Sequence, residues 1–138
     1  MNVYVDGVFD LFHVSHLKFL KKVIEDATKE LKSPINIICG VISDKDCESY
    51  KRTPILNENQ RTYMLQHCSI VDKVIKKSPL IITNNFLIEH NIKLVYHGND
   101  SKQEDFFKVC IEKGIMRYVS YDNEISTTKI INKIKNNY

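Results

Sequence analysis

Two histidines three residues apart, His13 and His16, stand where a helical pattern of apolar residues begins. At a helix N-terminus the free backbone N–H groups and the dipole favour an anion. At a spacing of i and i+3 both rings can lie on the same side of the first turn. Two imidazoles and a helix end would suit a phosphate whose charge grows in a transition state. Two plain surface histidines fit the same spacing. A metal pair would need a third ligand, and no metal is expected to be held by the protein here. Further candidates lie along the chain: Lys51 in a polar stretch, Arg61, the run His97-Gly98-Asn99-Asp100, and Ser126-Thr127-Thr128. Taken singly, each has a plain alternative. These are a solvated lysine, a helix-surface arginine, a strand-ending turn and a helix cap. His67 and His90 read as structural or surface residues.

The elements that must position these groups follow from periodicity. Residues 2–6 form a short β-rich run ended by Gly7, read as a buried first strand. Val14, Leu17, Leu20, Val23, Ile24 and Ala27 keep helical spacing, which predicts an amphipathic helix from Val14 to Leu31. Residues 35–41 read as a second strand, and Ser43 to Leu56 as a polar loop. Asn57 and Gln60 are spaced as a capping box for a helix carrying Arg61, Met64, Leu65 and Cys68. A short strand at residues 73–75 and a helix over Asn84 to Glu89, capped by Thr83, come next. A fourth strand is expected at residues 93–96, a helix from Lys102 to Lys113 closed by Gly114, and a fifth strand from Met116 to Ser120. Ser126-Thr127-Thr128 then caps a last helix. Strands alternating with helices predict an α/β fold with a parallel sheet covered on both faces. In such folds ligands bind beyond the carboxyl ends of the strands. The candidate residues fall there, in four separate segments.

At 138 residues the chain fits one domain, spanning residues 1–138. The net charge of +3 suits phosphorylated small molecules and is too small and evenly spread for a nucleic-acid groove. The four cysteines, Cys39, Cys47, Cys68 and Cys110, form no C-x-x-C pair. Buried, reduced thiols and a cytoplasmic protein are therefore expected. Asp6 and Asp10 interrupt the apolar start, so no signal peptide is read. No apolar run reaches the roughly 18 residues of a membrane span, and no membrane partner is expected.

The stretch Tyr4-Val5-Asp6-Gly7-Val8-Phe9-Asp10-Leu11-Phe12-His13-Val14-Ser15-His16 resembles the signature of the cytidylyltransferases, written H-x-G-H in that family. Resemblance continues through residues 40–44, Tyr50-Lys51, residues 57–61, 66–68 and 71–75, and Ile125-Ser126-Thr127-Thr128. It covers essentially the whole chain and is closest to the choline-phosphate and ethanolamine-phosphate enzymes. It implies a Rossmann-like domain with a five-stranded parallel sheet, a homodimer, and magnesium accompanying CTP. The implied reaction is attack by the phosphate of a phospho-alcohol on the α-phosphorus of CTP. A CDP-alcohol forms for phospholipid synthesis, and pyrophosphate leaves.

Carried onto this chain, the resemblance assigns His13 and His16 to charge on the transferring phosphate. Lys51 would bridge the attacking phosphate and the α-phosphate. The backbone at Gly7, Val8 and Phe9 would hold nucleotide phosphates, with Arg61 supporting the triphosphate. Ser126 and Thr127 would bind the β and γ groups, and Ile125, His97, Asn99 and Asp100 would complete the nucleotide site. An alcohol amine would meet Asp6 and Asp100, or Tyr4, Tyr96 and Phe106 as aromatic walls. A glycerol-3-phosphate enzyme, a catalytically weakened nucleotide-binding module and a metal-binding regulatory protein are the alternatives.

The chain departs from the family pattern in four places. Ser15 replaces the glycine between the histidines, and its Cβ is expected to narrow the space for nucleotide. Tyr121, Asp122, Asn123 and Glu124 replace a segment that usually carries an arginine. Leu80 stands where choline enzymes tend to have tryptophan. Ser69 and Ile70 replace dimer-associated residues.

Overall fold

The computed structural model describes residues 1–99, 103–122 and 124–138. Five strands, β1 (Asn2–Gly7), β2 (Asn36–Ile42), β3 (Lys73–Ser78), β4 (Ile92–Gly98) and β5 (Met116–Val119), form one sheet in the order β3-β2-β1-β4-β5. All four strand pairings are parallel. Strand residues alternate between two packed layers. Val3, Val5, Ile37, Cys39, Val41, Leu94 and Tyr96 join one core cluster, with Phe19, Leu20, Val23 and Ala27 of α1 (Val14–Leu31) and Leu65 of α3 (Glu58–Gln66). Tyr4, Ile38, Ile92 and Val95 join the other, with Phe86 and Leu87 of α4 (Asn84–Glu89) and Cys110 of α5 (Lys108–Glu112). Both faces of the sheet are thus covered, as parallel sheets require. β1 lies between β2 and β4, so the strand order reverses beside it. That reversal opens a crevice at the strands' carboxyl ends.

Local chemistry explains most of the element ends. The Asn57 side chain accepts from Gln60 N–H at 2.9 Å, and the Gln60 side chain accepts from Asn57 N–H at 3.0 Å, closing the capping box at the start of α3. Thr83 Oγ1 accepts from Phe86 N–H at 3.1 Å and opens α4. Gly114 follows α5 with φ +71°, the left-handed conformation a helix end uses. β3 runs three residues past its expected end. Lys77, at φ +53°, is the extra residue where the register with β2 shifts. Three cysteines are buried and Cys68 is partly so, and all four are free thiols.

Two expectations fail. The segment after β2 is not a continuous polar loop. It contains α2 (Asp44–Tyr50), whose cap Ser43 Oγ accepts from Asp46 N–H at 3.1 Å. This helix turns inward through Cys47 alone, so it has no apolar stripe to read. The expected helix from Lys102 is shorter. α5 starts at Lys108 without a side-chain cap, and residues 103–107 form turns, with Phe106 N–H donating to Gln103 O and Phe107 N–H to Glu104 O. Lys102 lies outside the described residues. The last helix, α6 (Thr127–Asn137), is capped by Ser126, whose Oγ accepts from Lys129 N–H at 3.1 Å.

Candidate active site

A cavity of about 540 Å³ lies over the carboxyl ends of β1 and β4. Its walls come from the β1–α1 connection, the end of α2, the end of β4 and the start of α6. Asp6, Gly7, Val8, Phe9, His13, His16, Lys51, His97, Ser126 and Thr127 all line it.

His13 is the N-cap of α1. Its Nδ1 accepts from Ser15 N–H at 3.2 Å, while His16 Nδ1 accepts from His13 N–H at 3.2 Å. The two residues thus make a capping box from imidazoles, a job usually done by hydroxyls and carboxylates. α1 carries no acid in its first turn. With both Nδ1 atoms accepting, a neutral ring must carry its proton on Nε2. His13 Nε2 is buried and has no partner among the described residues. A donor in that state is matched by an anion, not by a metal.

Electrostatics point the same way. Burial, with His13 and Lys51 nearby, pushes the His16 pKa down to about 3, and burial lowers that of His13. Both rings are therefore neutral donors near pH 7. Aromatic neighbours fix His16: Phe12 stacks at 5.4 Å, and the edges of Phe9 and Tyr121 lie at 5.7 and 6.4 Å.

The loop between β1 and α1 is strained and pinned. Phe9 and Leu11 hold φ of 52° and 50°, an arrangement that costs non-glycine residues roughly 1–2 kcal/mol each. Between them, Asp10 is 4 % exposed, and its carboxylate accepts from Ile55 and Leu56 N–H at 2.7 and 2.9 Å. Its carbonyl accepts from Thr127 Oγ1 at 2.8 Å, tying the loop to α6. A Cβ on Gly7 would stand 3.2 Å from the Phe9 ring, so glycine there lets the ring fold back.

Several expected residues lie elsewhere. Tyr4 and Tyr96 are 0 % exposed. Tyr4 projects from the middle of β1 under α4, with its hydroxyl against Gly40 and Ser78. Tyr96 projects to the opposite face, where its hydroxyl donates to Asp26 of α1. Neither can reach a ligand in the cavity, because side chains inside a strand point into the layers, not off its end. Arg61 is also 0 % exposed and does not line the cavity. It donates to the carbonyls of Leu56, Val8 and Ile42 at 2.8 to 2.9 Å and pairs with Asp44 at 2.7 Å. It braces the loops around the cavity and does not face a triphosphate.

Asn99 is exposed outside the lining, its N–H donating to Val119 O. Ile125 is likewise outside the lining, and Asp100 lies outside the described residues. Ser15 does not narrow the cavity. It is fully buried behind it, and its Oγ accepts from Ile125 N–H at 3.3 Å. Asp122 and Glu124 are held by Lys18 of α1 at 3.1 and 2.9 Å.

Asp6 sits at the end of β1 on the cavity wall, and burial pushes its carboxyl up to about 7. Near neutrality this group is poised between a hydrogen-bond donor and a counter-ion. His97 faces the same space, its ring against Phe107 at 5.3 Å. Sequence reasoning missed Asp10, Arg52 and Tyr121 as parts of the site. For Asp10 the signal was available, as an acid inside the signature stretch that no local helix needed.

The Cytidylyltransferase-like family model matches residues 4–133. The choline-phosphate cytidylyltransferase of Saccharomyces cerevisiae is 35% identical to this chain, over 100% of the chain and 32% of the relative. The probable ethanolamine-phosphate cytidylyltransferase of Encephalitozoon cuniculi is 29% identical, over 96% of the chain and 40% of the relative. The chain thus spans about a third to a half of the length of the curated relatives it matches. Among solved structures, the lipopolysaccharide core biosynthesis protein from Thermoplasma volcanium superposes with a TM-score of 0.67 at 22% identity, over 88% of this chain and 98% of that one. That likeness bears on the fold alone. With a family match over nearly the whole chain and a cavity walled by its signature stretch, the chain belongs to the cytidylyltransferase-like family.

Proposed function

We propose that the chain transfers a cytidylyl group from CTP to phosphocholine or phosphoethanolamine, giving a CDP-alcohol and pyrophosphate. The observation that carries this reading is the His13/His16 capping box. It puts the proton of each neutral ring on Nε2, away from the helix, in two residues that line the cavity. Such donors stabilise charge that develops on a transferring phosphate without contributing charge to the ground state. An oxygen of the alcohol's phosphate attacks the α-phosphorus. The bond to the bridging oxygen breaks, and pyrophosphate leaves with the electron pair. Lys51, on the same wall, bridges the two reacting phosphates in this reading. The protein's work is positioning and charge stabilisation.

The backbone at Gly7, Val8 and Phe9, together with His97, Ser126 and Thr127, is assigned to the nucleotide. The Asp6 carboxyl favours an alcohol with a cationic head over glycerol phosphate. Magnesium is assigned to the triphosphate's own oxygens. Among the described residues no three His, Cys, Asp or Glu side chains cluster to hold a metal, and both Asp10 oxygens already accept backbone N–H groups. We assign no step to a protein-held ion. The resemblance also supports a homodimer. Among the described residues no helix is long and apolar enough to cross a membrane.

Pyrophosphate release with CTP and phosphocholine, phosphoethanolamine or glycerol 3-phosphate tests the reading. The two amino-alcohol phosphates are expected to turn over. CTP binding without turnover on any of the three would favour a weakened nucleotide-binding module.

A further inference from the structure

The chain has three arginines. Two are matched by carboxylates: Arg61 pairs with Asp44, and Arg117 grips both Glu30 oxygens at 2.8 and 2.9 Å. Arg52 is different. It is exposed on the cavity wall, and its Nη1 donates to Thr128 Oγ1 at 3.3 Å. No carboxylate among the described residues pairs with it. Its backbone is anchored from below, where the thiol of Cys47, 1 % exposed, donates to the Arg52 carbonyl at 3.2 Å.

Thr128 belongs to the first turn of α6, an 11-residue helix with no acid in that turn. Helix N-termini attract acids, because their free N–H groups are positive. Here a guanidinium stands beside one instead. Two positive features side by side raise the local potential for an anion, and both lie on the wall of the cavity. The loop leading into α6 supplies no cation. Its Asp122 and Glu124 are tied to Lys18 on the outside.

We infer that Arg52, with the N-terminus of α6, binds the terminal phosphates of a nucleoside triphosphate, and so distinguishes a triphosphate from a monophosphate. This rests on the proposed function and deepens it. The end of α1 with its two histidines is one anion-binding locus, and Arg52 with the end of α6 is a second locus on the same cavity. A chain of phosphates satisfies both, whereas a single phosphate satisfies one. Arginine suits the task because its fork of donors can hold phosphate oxygens in pairs.

Isothermal titration of wild type, Arg52→Ala and Arg52→Lys with CTP and with CMP tests this. Because Arg52 is exposed, the variants should fold, and thermal melts check that. Arg52→Ala is expected to weaken CTP binding about 10- to 100-fold, the usual worth of a charge-assisted contact, and CMP binding less than about threefold, with Arg52→Lys intermediate for CTP. Equal CTP affinity in wild type and Arg52→Ala would overturn the inference and leave the proposed function standing. So would a parallel loss of CTP and CMP affinity. A wild-type chain that binds neither nucleotide would overturn the proposed function, and this inference with it.

Discussion

The ring of His16 lies on that of His13 at a centroid separation of 3.8 Å and an angle of 21°, while each Nδ1 accepts a backbone N–H from the same helix end. The pair therefore spends one set of nitrogens on the helix and, in the proposed reaction, keeps the other for the ligand. His16→Ala is expected to lower kcat more than about 100-fold, as loss of a transition-state donor does. It should also cost about 1 kcal/mol of stability through the lost cap. Pyrophosphate release and urea unfolding measure the two effects separately. Unchanged turnover would remove His16 from the chemistry.

Burial sets up opposing pH effects on stability. His16 titrates near 3 when folded against 6.5 for a free imidazole, and His13 moves in the same direction. Between those values the unfolded chain binds more protons, so the histidine contribution is intact above about 6.5 and is lost as pH falls toward 3. Asp6 works in reverse. Its carboxyl is raised from 3.8 to about 7, so its contribution is complete below about 4 and is lost as pH rises through 7. Asp6→Asn is expected to stabilise the protein at pH 8 by about 1–3 kcal/mol. The histidine dependence would then stand alone, as a steeper loss on acidification below pH 6.5. Urea midpoints from pH 4 to 8 report both, and a pH profile unaltered by the substitution would mean that Asp6 is ionised at neutral pH.

Arg61→Ala leaves three carbonyls and Asp44 without their donor. The expected cost is on the order of 2–4 kcal/mol, below that of a fully buried pair because Asp44 keeps 34% of its side chain exposed. Differential scanning calorimetry should show a large fall in Tm. Arg61→Lys should recover only part of it, because an ammonium cannot reach in four directions from one plane. A variant with near-native Tm and a raised KM for CTP would instead make Arg61 a ligand-binding residue.

Ser15→Gly restores the residue that the H-x-G-H pattern carries. It is expected not to lower the KM for CTP, since Ser15 lies behind the cavity. It should destabilise the protein by roughly 1 kcal/mol, through the lost bond to Ile125 and the freer backbone in α1. A several-fold lower KM in the glycine variant would show that the Ser15 side chain does obstruct the nucleotide.

Much of this architecture was legible from local patterns. Val14 to Leu31, Thr83 over Asn84 to Glu89, and the Asn57/Gln60 box all depend on neighbours within a few residues, and each appears where the pattern put it. α2 was hidden because its inner face reduces to Cys47. Tyr4 and Tyr96 sit close in sequence to the rim. Alternation along a strand shows that two faces exist, but not that helices cover both tyrosines completely. Arg61 looked like a surface residue of α3. Its acceptors at Val8 and Ile42 lie 53 and 19 residues away, and only the closed sheet brings them together. The tie between Arg52 and Thr128 spans 76 residues and was beyond any local pattern for the same reason.

The imidazole capping box has an evolutionary consequence. The start of α1 is closed by the same two side chains that line the cavity and carry the proposed chemistry. A duplicated copy released from selection for turnover would therefore still be held to this pair by its need to fold. The side chains of Lys51 and Arg52 close no helix start among the described residues and would be the first to drift. In descendants of this chain, decay of the reaction should be written in that basic pair while both histidines persist.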